Sequence, residues 1–230
     1  MERIIEKLSH IIDKLVRHEV LQIGPVTITS TVVNTWIVMA LLMVGVWLLT
    51  RGGFREKPKG AQALLEVLVE FLYSLMDPAL GKEGRRYLWI TGSLFVFIFA
   101  LNISWFIPGF IPPTTDIMAT AALATTTILL VQIMGIRAKG LRGYLHNFTE
   151  PVAIMLPMNV VEEFVKPFSL AIRLFGNMFG EKAVVTILGI LVPLVLPVPI
   201  MALGLLMGGI QAFIFTLLSV TYLATQTKGH

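Results

Sequence analysis

The sequence predicts an all-α integral membrane protein, with five membrane-embedded helices, interfacial amphipathic helices, and a hairpin made by the last two spans. Three observations predict it. Of 230 residues, 56% are hydrophobic and 14% charged, with a mean hydropathy of +0.82, too apolar for a water-soluble domain of this length. The apolar runs approach or exceed about 20 residues without alternating, which suits spanning helices and not barrel strands. The basic residues cluster beside those runs, so the net charge of +4 says little about nucleic acid.

The elements follow in order. Met1–Val20 carries Ile4, Ile5, Leu8, Ile11, Ile12, Leu15 and Val16 on one helical face, with charges on the rest. That pattern fits an amphipathic helix lying on the membrane or against a partner, and it lacks the continuous apolar stretch and cleavage site of a secretory signal. Gly24-Pro25 breaks it, and Val26–Thr31 reads as a short extended lead-in. Residues 1–30 thus form an N-terminal segment and 31–230 the membrane domain. The first span, 31–50, has no charge and is followed by a basic, turn-rich loop. Ala61–Met76 sets Leu64, Leu65, Leu68, Phe71, Leu72 and Leu75 on one face and Glu66 and Glu70 among its polar positions, an interfacial helix too short and too charged to cross. The second span, 87–110, has Tyr87, Trp89 and Trp105 near its ends as interface anchors and Asn102 as its one strongly polar side chain. A tight uncharged loop, Ile111–Thr115, leads to the third span, 116–136, which opens on Asp116. Arg137, Lys139 and Arg142 begin a polar stretch to about Pro157. The fourth span covers 159–189, and a proline-broken turn (Pro193, Pro197, Pro199) leads to the last, 200–225.

Charge orients the chain. The loop Arg51–Arg86 holds seven Lys/Arg and the loop after Ile136 holds three, whereas Ile111–Thr115 holds none. Both basic loops and the C-terminus therefore lie inside and the N-terminus outside. Several functions are excluded by composition. The absence of cysteine removes disulfides and thiolate chemistry. The four histidines, His10, His18, His146 and His230, lie outside the apolar runs without ligand spacing, so no metal is expected. No G-x-x-x-x-G-K-[ST] loop is present to hold a nucleotide. No His/Asp/Ser constellation lies within the spans, so no catalytic residue is assigned, and no cofactor.

The chemistry concentrates in Asn159–Glu181, NVVEEFVKPFSLAIRLFGNMFGE. At 100° per residue, Glu162, Lys166, Ser169, Arg173 and Asn177 fall within about 40° of Arg173, and Glu181 at about 80°. Val160, Val161, Phe164, Leu170, Leu174 and Phe179 fill the opposite face. An arginine at membrane depth costs about 2.5–3.5 kcal/mol on insertion scales, and guanidinium does not escape by losing its proton. Snorkelling explains arginines near span ends; Arg173 is far from either end and has aligned polar neighbours. A permanent cation in that setting reads as part of an ion path.

The last helix adds Gly204, Gly208 and Gln211 on one ridge, the spacing of closely packed membrane helices. An antiparallel hairpin would bring Gln211 near Arg173 and keep the guanidinium oriented. Tyr222, further along the ridge, reads as an anchor at the inner interface. Asn102, Asp116 and Glu181 share a depth near the outer surface, where they would line an aqueous half-channel; for Asp116 an N-cap role is the equal alternative. Glu162 and Glu163, at the other end of the stripe, suit a second path opening inside, or else a pairing with Lys166. Two offset paths separated by a fixed cation force an ion to ride on a carboxylate carried by a moving partner.

The residues SLAIRLFGNMFGE (Ser169–Glu181) with GIQAFIFTLLSVTYL (Gly209–Leu223), the PTTD opening of the third span and the PMNVVEEF entry together resemble the F-type ATP synthase subunit a family. The resemblance implies a non-catalytic stator subunit in the bacterial plasma membrane. It implies a rotating c-ring and peripheral-stalk b subunits as partners, besides lipid, and long, strongly tilted fourth and fifth spans. It implies that Arg173 is the stator arginine, Asn177 and Gln211 its polar neighbours, and Glu181 and Asp116 outer-channel acids. The motif is one residue shorter before Glu181 than in the family pattern, some relatives carry histidine where Gly204 stands, and others asparagine at Met118. The alternative is a stand-alone secondary transporter or channel in which Arg173 binds an anionic substrate, although the chain has no convincing internal repeat.

Overall fold

The computed structural model of the chain describes residues 19–23, 26–51, 60–107, 110–147, 156–191 and 197–227. The predicted N-terminal helix falls mostly outside these. Where it overlaps them the expectation is corrected: Glu19 and Val20 open a strand, β1 (Glu19–Ile23), paired antiparallel with β2 (Val26–Thr29). All four residues of β2 are β-branched, which favours extended backbone over helix.

The rest is helical. α1 (Ser30–Thr50) matches the first predicted span. α2 (Ala61–Leu80) runs four residues past the predicted Met76, because Pro78 is tolerated in the final turn, and ends at Gly81 with φ 69°. A 3-10 turn over Lys82–Tyr87 feeds α3 (Leu88–Ile103), and a second over Ser104–Phe106 closes the span short of the predicted Phe110. After a turn at Pro113–Thr115, α4 covers Ile117–Asn147, so the polar stretch beyond Ile136 is helical in its first half. Gly140, at φ 73°, breaks the axis there, in a conformation that side chains with a Cβ rarely adopt. α5 (Leu156–Leu191) and α6 (Pro197–Thr227) outrun the predicted 159–189 and 200–225. Pro197 and Pro199 belong to the first turn of α6 and not to the loop, since proline at a helix start loses no hydrogen bond.

Among the described residues, four stretches are long and apolar enough to cross a membrane: Ser30–Thr50, Lys82–Phe106, Ile117–Leu141 and Pro199–Thr227. α5 is long enough as well, but Glu162, Glu163, Lys166, Arg173, Glu181 and Lys182 make it the most charged of the long helices.

α6 is the hub, packing against α2, α3, α4 and α5. Toward the end of the bundle that carries the basic loops (the basic end), Met76, Tyr87, Ile90, Val131, Val220 and Leu223 form one buried cluster. Ile98, Ala124, Leu170, Leu174, Ala212 and Phe215 form a second at mid-height. α1 stands apart. Only Thr31 and Val38 are buried on it, and Asn34 Nδ2 donates to the Ile111 carbonyl at 2.9 Å. An apolar groove of about 360 Å³ separates α1 from α3 and α4, lined among others by Trp36, Phe97, Leu101 and Leu123.

Outside the apolar layers, Arg85 grips Asp77 through two hydrogen bonds (3.1 and 2.6 Å) and lies over the Tyr73 ring. The guanidinium holds the Asp77 carboxyl below its usual range. The tie therefore stands at neutral pH and is lost only as pH falls through that lowered value; being exposed, it contributes little to stability.

α4 and α6 approach closely at Gly135. A Cβ there would lie 2.9 Å from Gln226 Cβ and 3.4 Å from the Gln226 carbonyl, neither able to swing away. Gly135→Val is expected to destabilise the protein by about 1–3 kcal/mol, the usual penalty of overpacking, read as a lower unfolding midpoint in detergent.

Candidate ion-translocation site

α5 carries Leu170, Ala171, Leu174 and Met178 as a buried stripe against its neighbours. That seating leaves Arg173, one residue round from Leu174, on the outside of the bundle. Ile172, Phe168, Val165 and Phe179 of α5 and Leu206 and Ile210 of α6 are exposed as well. Among the described residues no hydrogen bond or ion pair holds the guanidinium. No hydrogen bond joins it to Gln211, which lies against Asn177, one turn away. Gln211 is 1% exposed, and its Oε1 accepts a hydrogen bond from Asn177 Nδ2 at 2.7 Å. Asn177 sits one turn from Arg173 and reaches across to α6, so the amide pair joins the two helices just behind the cation.

The expected single polar stripe is also corrected. Lys166 turns inward and is 9% exposed, while Val160, Val161, Phe164 and Phe179, placed on the opposite face, are exposed. A straight 100° count overstates how long one face of a 36-residue helix keeps the same neighbours. α5 meets α4, α6 and the Pro113–Thr115 turn at different heights.

The ridge of α6 holds the structure's clearest local logic. Gly204 has no Cβ, and one built there would lie 1.4 Å from Glu181 Oε1: the glutamate carboxyl occupies that space. Asn102, 4% exposed, rests against Gly208, its Cβ 3.1 Å from where a Cβ would stand, and its Nδ2 donates to the Gly208 carbonyl at 3.0 Å. Gln211, next on the ridge, takes Asn177. Each small or polar ridge residue thus seats one polar side chain from α3 or α5. The ridge was legible as helix packing; its use for polar groups was not.

Asp116 caps α4. Its Oδ1 accepts from the Met118 amide at 2.9 Å, and its carbonyl accepts from the Thr120 amide at 3.1 Å, the N-cap geometry that its position before an apolar run allows. Asn102 Oδ1, Trp105 Nε1, Thr114 Oγ1 and Glu181 Oε1 are buried without a protein partner. All four belong to the end of the bundle that carries the Ile111–Thr115 loop. Lys182, which sequence reasoning passed over, is buried beside Glu181 at 8% exposure.

At the basic end the two neighbouring glutamates are placed differently. Glu162 is exposed, with a 3.4 Å ion pair to Lys166. Glu163 is the centre of a network: its Oε1 accepts from Lys166 Nζ at 2.5 Å and from Gln226 Nε2 at 2.9 Å, and its Oε2 accepts from Gln132 Nε2. Gln132 Oε1 accepts in turn from the Tyr144 hydroxyl at 2.5 Å. Burial pushes the Tyr144 phenol up, with the Glu163 charge adding to it, so it stays a donor. The Lys166 ammonium lies 5.1 Å from the centre of the half-buried Tyr222 ring. Gln132, Tyr144 and Gln226 had no sequence signal beyond being polar near the ends of apolar runs. Among the described residues, no group of acids and histidines is arranged to hold a metal ion.

The family profile described as ATP synthase A chain matches residues 32–224, most of the chain and all of this arrangement except Gln226. The chain belongs to that family. Similar chains carry the same family name. ATP synthase subunit a of Moorella thermoacetica is 57% identical over 212 residues, covering 92% of this chain and 97% of the relative. ATP synthase subunit a 2 of a Bradyrhizobium species is 40% identical, covering 87% and 90%. ATP synthase subunit a 1 of Syntrophotalea carbinolica is 41% identical, covering 84% and 83%. Membership of the ATP synthase A chain family and four membrane-capable helices make this an integral membrane chain.

Proposed function

We propose that the chain is the non-catalytic stator of the ATP synthase membrane sector. It offers two offset half-channels that pass protons to and from a rotating c-ring, and Arg173 blocks the direct path between them. One observation carries this reading: an exposed guanidinium with no hydrogen bond or ion pair among the described residues, on a helix that also exposes Phe168, Ile172 and Phe179. A lone cation at membrane depth needs a counter-charge, and here that is a carboxylate of the ring passing in front of it.

In this reading α5 is the fifth membrane helix. Its 36 residues extend about 54 Å at 1.5 Å per residue, too long to stand upright in a hydrocarbon layer of about 30 Å. A tilt along the ring accommodates it, and α6 with it. The outer half-channel lies at the loop end, where buried Asn102, Thr114 and Glu181 have polar atoms that call for water partners. Asp116 combines its capping role with a place at the mouth of that path, and Glu162 faces the inner one. Protons enter on one side, neutralise a ring carboxylate, and leave on the other only after the ring has turned. Each charge crossing gains about 2.3 kcal/mol per 100 mV. The basic loops lie in the cytoplasm of a bacterial cell and the N-terminus outside, with peripheral-stalk b subunits and lipid against the surfaces away from Arg173. The chain itself binds no nucleotide.

A transporter acting alone would carry solute without a ring. The purified chain in liposomes is therefore expected to show no saturable uptake of anions or protons, whereas addition of the c-ring and the remaining subunits restores ATP-driven proton pumping. Saturable transport by the isolated chain overturns the stator reading.

A further inference from the structure

Two neighbouring glutamates at the basic end have different surroundings. The Glu162 side chain is 64% exposed and that of Glu163 16%. Both carboxylate oxygens of Glu163 are taken, by Lys166 on its own helix, by Gln226 on α6 and by Gln132 on α4. Gly135 makes the junction possible, since any side chain there would drive into Gln226, and Tyr144 packs over the same glycine. No second group among the described polar residues ties three helices through one side chain. A carboxylate so fully engaged is poorly suited to trade protons with water, and well suited to hold α5 in one rotation and at one height.

We propose that Glu163 is a positioning residue: with Lys166, Gln132 and Gln226 it locks the helix that carries Arg173 against α4 and α6. The lock rests on the stator reading for its importance, because Arg173 follows ten positions later on the same helix, with Pro167 between them, and a small rotation at one end moves the guanidinium off the path of the ring. It also leaves Glu162, exposed and with a single ion pair to Lys166, as the more accessible acid at the inner end.

The test uses the fully assembled complex in vesicles. A glutamine at 163 is able to accept from Lys166 and Gln226 through its carbonyl, and to donate to Gln132 once that amide turns to present its oxygen. Glu163→Gln is therefore expected to keep ATP-driven pumping within about twofold, since the hydrogen bonds are replaced and not lost. Glu163→Leu keeps the volume without the bonds and is expected to lower pumping by about tenfold or more, as small displacements of a reacting group do. Cysteines at 177 and 211, introduced into a chain that has none of its own, report the α5–α6 register through a short thiol cross-linker. The yield in membranes should persist with Glu163→Gln and fall with Glu163→Leu. If Glu163→Leu does not assemble, Gln226→Leu, which cuts only the tie to α6, is expected to lower the cross-link yield in its place.

Loss of pumping in Glu163→Gln equal to that in Glu163→Leu overturns the proposal, because it marks Glu163 as a proton carrier. Unchanged pumping and cross-linking in Glu163→Leu, or unchanged cross-linking in Gln226→Leu, overturns it as well. Failure of the lock is separable from failure of the stator reading: Arg173→Ala remains inactive in the first case and active in the second.

Discussion

Replacing Arg173 by alanine is expected to lower ATP-driven proton pumping by at least about 100-fold, as removal of a fixed charge from a working site does, while the complex assembles normally. The two halves of that expectation have separate physical grounds. Assembly survives because the guanidinium makes no hydrogen bond or ion pair among the described residues, so its loss leaves no buried partner stranded. Leu174 and Leu170, which seat the helix, are untouched. Coupling fails because no fixed cation then favours release of the proton from a ring carboxyl as it arrives, or attracts the ionised carboxylate to stop. Arg173→Lys is expected to fail too. Lysine keeps a charge but is able to shed its proton when desolvated, which guanidinium does not do. The check is quenching of a pH-sensitive dye in vesicles, with subunit content measured on the same membranes.

The second large effect concerns Glu181 and the gap left by Gly204. A methyl group at Gly204 would stand 1.4 Å from Glu181 Oε1 and 2.1 Å from Cδ. Those atoms lie at the free end of a flexible side chain, so the helices need not separate and the carboxyl swings away. Gly204→Ala is thus expected to leave stability nearly unchanged and to reduce pumping by about tenfold, the scale of loss for a displaced functional group. Glu181→Ala should lose more. The decisive comparison is the double variant. If Gly204 serves to seat the carboxyl, then Gly204→Ala adds nothing in a Glu181→Ala background, and the two effects are strongly non-additive. Additive losses mean that the glycine acts through helix packing instead.

These two residues also mark how far the sequence reached. Arg173 stood out because lipid makes such a residue expensive, and the expense requires a reason; its role is left to the functional tests. The spans were legible for the same cause, since a bilayer demands long apolar helices whatever their partners. Gly204 was half-legible. Its spacing with Gly208 announced a close approach, but a glycine cannot say whether a helix backbone or a carboxyl will fill the space it leaves. The choice between Glu162 and Glu163 was beyond reach for a geometric reason. Adjacent helical residues point about 100° apart, and only the neighbours supplied by α4 and α6 decide which of them is enclosed. The β-ribbon was hidden by its own composition. An apolar segment before Gly24-Pro25 reads equally as the end of an amphipathic helix or as a strand, and pairing with the β-branched β2 decides between them. Asp116 offered two roles, and hydrogen bonding accounts for one, the cap on α4, leaving its place in the outer path to functional tests.

The claim beneath all of this is that Arg173 stops protons from crossing without rotation. The direct measurement is passive proton flux under an imposed potential through membrane sectors whose ring has been cross-linked so that it cannot turn. The wild-type sector is predicted to conduct no more than protein-free vesicles, and the Arg173→Ala sector to leak with the ring still fixed. A fixed-ring Arg173→Ala sector as tight as the wild type would contradict the account.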